Sequence, residues 1–140
     1  MMGCIKEKAA GVISFLGYDV LKIDFQKNKN YNGDSVELDT DLSVNVKTNK
    51  DNSKMAVEMI LKLFDDEKME YPFRLEIIVV GQFEIDGDVE NNVQEFQANA
   101  IAILFPYVRA LVTNCTANAN VAPLILPTIN TNNLVKNSIH

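Results

Sequence analysis

The chain has 140 residues, of which 47% are apolar and 23% charged, with a formal net charge of −6. That is ordinary globular usage, enough for one domain over residues 1–140 with its own core. The acidic balance argues against nucleic acid or an anionic membrane surface as partner, since both require a basic footprint. Cys4 and Cys115 are too few and too distant for a disulfide scaffold or a Cys-x-x-Cys site, which fits a reduced, cytoplasmic protein.

The N-terminal run MMGCIKEKAAGVISFLG has neither the unbroken apolar centre nor the small-residue cleavage site of a secretory signal. Gly3-Cys4 after Met2 departs from an acylation signal, because the glycine is not second and Glu7 stands where Ser or Thr is required. No run of about eighteen apolar residues suggests a bilayer span.

A first strand is expected in VISFLGYDVLKIDF, broken near Gly17. A second, long strand follows: Val36, Leu38, Leu42, Val44 and Val46 alternate with Glu37, Asp39, Asp41, Asn45 and Lys47, period two with one wet face. After the turn cluster TNKDN, Met55, Val57, Met59, Leu61 and Leu63 share one parity and Asp65 to Glu67 close the strand. The fourth run keeps Phe73, Leu75, Ile77, Val79, Phe83 and Ile85 on one side, with Gly81 as a bulge and Asp86-Gly87 as a turn. Hairpin-length connections favour an antiparallel meander, since parallel neighbours need longer crossovers.

From Val93 the period becomes helical. Ile101, Leu104, Phe105, Val108, Val112 and Cys115 form one stripe, and Phe96, Ala100, Ile103, Tyr107 and Leu111 a second on an adjacent flank. A helix apolar over so wide an arc is buried on two sides, which in a small domain points to a subunit partner; Ile103, Tyr107 and Leu111 are the interface candidates. Pro106 is expected to kink the helix or start its second half. Beyond it, Pro123 and Pro127 impose extended geometry on an apolar loop, and a short C-terminal helix is expected around residues 130–137. The fold class is therefore α+β: a four-stranded antiparallel sheet followed by a long and a short helix.

Leu104-Phe105-Pro106-Tyr107-x-Arg109, followed by Leu124-x-Leu126 and Asn130, resembles the SecB family of protein-export chaperones. Phe73-x-x-Glu76 with Gly81, Phe83, Ile85 and Gly87 matches a second block of that family, and Val36-Glu37-Leu38-Asp39 a third. The resemblance implies that both helices lie on one face of the sheet, and it implies a homotetramer, a dimer of dimers built through the long helices. It implies a holdase, without nucleotide, metal or other cofactor, that keeps unfolded preproteins competent for export. Val36 and Leu38 would lie on the groove-side strand and Leu124 and Leu126 on the loop that covers the groove, making these four the client-contact candidates. The translocase motor SecA is the further partner implied.

The chain departs from the pattern at Ala110, where an acid is usual, at Pro123, displaced by one position, and at Lys22, where the motor-binding sheet face carries an acid. It also ends at His140 without the long second helix and motor-docking tail. Some family members chaperone the antitoxin of a toxin–antitoxin module instead, and these departures are compatible with that duty.

Other readings remain open at this point. Arg109 reads first as a structural ion-pair residue, and Asp65, Asp66 and Glu67 as solvated turn acids rather than a metal cluster. A small ligand-binding domain or enzyme could draw polar groups from Tyr107, Arg109 and Glu76. Its catalytic inventory is poor: the one histidine is His140, and no phosphate-binding glycine loop occurs. A module dedicated to a single partner segment is the third possibility.

Overall fold

The computed structural model describes residues 12–31, 39–51, 53–64, 71–87 and 89–119. They form strands β1 (Val12–Lys27), β2 (Thr40–Thr48), β3 (Lys54–Leu63) and β4 (Phe73–Asp86), then helix α1 (Val89–Asn118). Every strand pair is antiparallel, and the spatial order is β1-β4-β3-β2.

The expected meander therefore holds for β2, β3 and β4, while β1 crosses to the far edge and pairs with β4 rather than β2. Strand length explains the choice. β1 runs sixteen residues and finds a partner of matching reach in β4, fourteen residues long; β2, with nine, would leave much of it unpaired. Residues 28–39 between β1 and β2 are long enough to make the crossing.

Alternation gives β3 and β4 their inner face. Met55, Val57, Met59, Leu61 and Leu63 of β3 and Phe73, Leu75, Ile77, Val79, Phe83 and Ile85 of β4 are buried, and each large side chain so placed contributes about 1.5–3 kcal/mol. Helix α1 adds Phe96, Ala100, Ile101, Leu104, Phe105, Val108 and Val112 from above. Thr116, also fully buried, satisfies its hydroxyl by donating to the carbonyl oxygens of Val112 and Thr113, both at 3.0 Å.

Two backbone expectations are corrected. Gly81 is not a bulge: it pairs in register with both Val57 and Tyr18. Its missing side chain makes room for Leu104, whose methyl carbons would lie 3.0 and 3.2 Å from a Cβ there. The irregularities are in β1, which is not broken near Gly17 but carries ladder shifts between Phe15 and Gly17 and between Val20 and Lys22. Gly17 takes φ +140°, a conformation side chains disfavour, and so lets the strand continue through the first shift.

Strict alternation would turn Phe64 outward after Leu63. Instead Phe64 adopts φ 57° and turns inward, with its amide donating to the Asp39 carbonyl at 2.9 Å. A left-handed phenylalanine costs on the order of 1–3 kcal/mol. Its ring lies 4.6 Å from Tyr71 and 5.1 Å, edge-on, from Phe73, which itself stacks on Phe25 at 5.3 Å; such pairs return about 0.5–1.5 kcal/mol each. Asn28 fastens the end of β1 to this cluster, its amide group donating to the Tyr71 carbonyl at 2.9 Å.

Pro106 lies within α1, which runs through it without interruption. It sits on the exposed side with Ala102, whose carbonyl loses its amide donor where water can replace it. By length and composition Val93–Asn118 could cross a bilayer, with mean hydropathy 1.4, but its apolar side closes over the sheet as a core helix does. The short C-terminal helix and the Pro123–Pro127 loop lie outside the described residues.

Candidate functional site: the apolar edge along β1 and α1

Among the described residues, every exposed large hydrophobic side chain belongs to β1 or α1: Val12, Leu16, Tyr18, Val20, Leu21 and Ile23 on the strand, Val93 and Tyr107 on the helix. Local geometry explains the strand's share. Tyr18, Val20 and Ile23 point to the helix side, opposite Gly81, Val79 and Ile77 of β4, but β1 is the edge strand of the sheet formed by the described residues, and none of those residues pairs with its outer flank. Leu16 and Leu21 are the extra residues at the two ladder shifts and stand out at 54% and 59% exposure.

The edge is continuous with the core through an aromatic chain. Phe83 contacts Phe15 at 5.3 Å, Phe15 contacts Tyr107 at 5.4 Å, and Tyr107 contacts Tyr18 at 4.8 Å between ring centroids. Tyr18 and Tyr107 remain 36% and 39% exposed, so two packed tyrosines present their outer surfaces together.

Of the three interface candidates, the structure thus places Tyr107 on this surface. Ile103 and Leu111 are half-buried and pack against the core while keeping an outer aspect. The second flank is narrower than its sequence suggests, because Phe96 and Ala100 are spent in the core. The client-contact candidates Val36, Leu38, Leu124 and Leu126 lie outside the described residues.

The opposite face of the sheet carries both signs of charge. Lys22 Nζ donates to Glu76 Oε1 at 2.7 Å, and this bond holds the lysine's pKa above its ordinary value. Both groups are solvent-accessible, so water and salt screen the pair. Glu76 directly faces Asp24 on one side and Lys62 on the other. A recess of about 230 Å³ on this face, lined by Asn45, Lys47, Ala56, Glu58 and Val80, is open to solvent.

This arrangement separates the polar groups an enclosed pocket would need: Glu76 lies on the outer sheet face, whereas Tyr107 packs on the helix side. Among the described residues no group of three His, Cys, Asp or Glu side chains could hold a metal ion. Half-buried Cys115 has its thiol pKa pushed up by burial, which disfavours the reactive thiolate.

The β1 edge was not singled out from the sequence, although a signal was present. VISFLGYDVLKIDF is apolar on both parities, unlike β2, and a strand apolar on both parities is either covered on two faces or bulged.

Comparison with known proteins places this architecture. Residues 24–140 match the model of the family described as preprotein translocase subunit SecB. An uncharacterised protein of Methanocaldococcus jannaschii is 35% identical over 130 residues, covering 89% of this chain and 83% of its own. The fold is similar to that of the SecB-like chaperone Rv1957 of Mycobacterium tuberculosis, solved in complex with a ChAD peptide from the Rv1956 HigA1 antitoxin. That likeness has a TM-score of 0.66 at 16% identity and covers 84% of this chain and 90% of that one. A Streptococcus agalactiae protein of unknown function is also similar, with TM-score 0.54 at 13% identity, covering 86% and 100%.

Proposed function

The chain belongs to the SecB family, and from that premise we propose that it is an ATP-independent holdase, binding unfolded or non-native polypeptides in the cytoplasm and keeping preproteins competent for export. The observation that carries the reading is the family match over residues 24–140, joined to an exposed apolar edge that a self-contained domain would not leave uncovered.

In this reading the edge along β1 and α1, with Tyr107, Ile103 and Leu111, is the assembly surface, and the oligomer is a homotetramer built as a dimer of dimers. Val36, Leu38, Leu124 and Leu126 contact the client. Affinity comes from burying the apolar side chains that an unfolded chain exposes, about 1.5–3 kcal/mol for each large one. Several weak grooves on one oligomer act together, because each bound segment raises the effective concentration of the next. Binding then follows apolar content rather than one sequence.

A second reading is a chaperone dedicated to an antitoxin. It is supported by the structural neighbour, whose bound segment is an antitoxin peptide, and by the Lys22–Glu76 pair, which makes the outer sheet face less acidic than docking on the motor SecA would favour.

The test is suppression of aggregation of a chemically denatured model protein diluted out of denaturant, with and without ATP. Suppression near stoichiometric amounts, independent of ATP, is expected of a general holdase. Failure with general clients combined with tight binding of one antitoxin segment would favour the dedicated chaperone.

A further inference from the structure

We infer that an unfolded client is held as an added strand along the outer flank of β2, hydrogen-bonded to the main chain of Leu42, Val44 and Val46. The inference rests on the holdase reading above and names how such a chaperone grips a chain without reading its sequence.

The ladder between β2 and β3 fixes which main-chain groups face outward. The Phe64 amide donates to the Asp39 carbonyl at 2.9 Å and the Asn49 amide to the Lys54 carbonyl at 3.1 Å, one bond at each end of a register without shifts. In an antiparallel pair, residues hydrogen-bonded to the partner strand alternate with residues whose N–H and C=O point the other way. Asp41, Ser43, Asn45 and Lys47 fall in step with Asp39 and Asn49 and are therefore the ones bonded to β3. Leu42, Val44 and Val46 aim their donors and acceptors away from β3, where no described residue pairs with β2.

The same residues carry the apolar side chains. Val44 is buried, and Leu42 and Val46 are half-buried against the core. A strand added here places alternate side chains beside Leu42 and Val46 on the helix side and the others beside Asp41, Ser43, Asn45 and Lys47 on the outer side. The outer row has one charge of each sign, and Asn45 already donates to Glu58 at 3.0 Å, so this row selects no net charge in the occupant. Main-chain bonds are common to every sequence. What remains to select is apolar content at alternate positions, which is the chemistry of an unfolded polypeptide. Val36 and Leu38 share the sequence parity of Leu42, and β2 begins at Thr40, so the client-contact candidates and this edge belong to one stretch of chain. A second copy of β2 is the competing occupant. The β1 edge is already given to assembly, and self-pairing at both edges would propagate the sheet without closing it, whereas a closed oligomer leaves β2 to another polypeptide.

The probe is a short synthetic peptide of alternating valine and threonine with a lysine at each end, added to the wild-type protein. Successive amides of a strand point to opposite sides, so N-methylation of the valine amides and of the threonine amides should act differently. One set should weaken binding by about tenfold or more in fluorescence anisotropy, and the other should leave it near the value of the unmodified peptide. Equal loss from both sets, or from neither, overturns the added strand. Hydrogen exchange read residue by residue by NMR gives the complementary view from the protein. The amides of Leu42, Val44 and Val46 should exchange quickly without the peptide and slowly with it, while those of Ser43, Asn45 and Lys47 are slow in both states. Slow exchange at Leu42, Val44 and Val46 before peptide is added, or protection there that rises with the protein's own concentration, shows the flank occupied by this chain and overturns the inference. A permanently unfolded model protein, tested on the same wild-type sample, separates the two ideas. Its binding without protection of Leu42, Val44 and Val46 removes the added strand and keeps the holdase; binding of neither that protein nor the peptide removes the holdase, and the added strand with it.

Discussion

A methyl group at Gly81 tests how α1 is seated on the sheet, and hence how Tyr107 reaches the apolar edge along β1. In Gly81→Ala the new Cβ would lie 3.0 and 3.2 Å from the two methyl carbons of Leu104 and 3.1 Å from Phe83 Cε1. All three distances are tighter than ordinary contact, and Leu104 and Phe83 are buried with little space to retreat. Overpacking of this kind costs about 1–3 kcal/mol. Leu104→Ala alone leaves a cavity and costs about 2–5 kcal/mol. In the double variant the Leu104 methyls that the new Cβ would strike are gone, so the two costs should fall short of additivity by about 1 kcal/mol or more, within the range found for residues in contact. Urea denaturation of the four proteins at one fixed concentration measures the cycle, the fixed concentration being required because association shifts apparent stability. Additivity to within about 0.3–0.5 kcal/mol would refute the proposition that Gly81 is small because Leu104 occupies its place.

Tyr107→Glu places a charge on the packed tyrosine pair and should lower the assembly mass by light scattering while the circular dichroism spectrum is retained; an unchanged mass would remove Tyr107 from the interface. Leu124→Asp combined with Leu126→Asp should weaken holding of an unfolded client without changing the oligomer's mass, and dissociation instead would move that loop into the subunit contact. Gly17→Val forces a β-branched residue into φ +140° and should destabilise the fold by about 1–3 kcal/mol in thermal or urea unfolding, although open space surrounds the site. No loss of stability there would show that the strand can repair its ladder shift without glycine.

Alternation made β3 and the inner face of β4 legible residue by residue, because both strands bury one face and leave the other half-buried or exposed. The apolar stripe through Ile101, Leu104, Phe105, Val108 and Val112 gave α1 its buried side for the same reason. Strand order was less legible: neighbouring strands were assumed to pair, whereas the length of β1 matches β4. The role of Gly81 was misread because a glycine in a strand has two causes, an irregular ladder or a close neighbour, and only the position of Leu104 separates them. Tyr107 was legible as a surface residue because a stripe too wide for one sheet must spill over. The β1 edge was not, because exposure at a sheet's rim follows from strand order rather than from composition.

The most direct test of the account is binding to a permanently unfolded model protein, with the mass of the complex read by light scattering and the folded form of the same protein as control. The account predicts a stable complex of an assembled chaperone with the unfolded form and none with the folded form. Equal binding of both forms, or of neither, would contradict it.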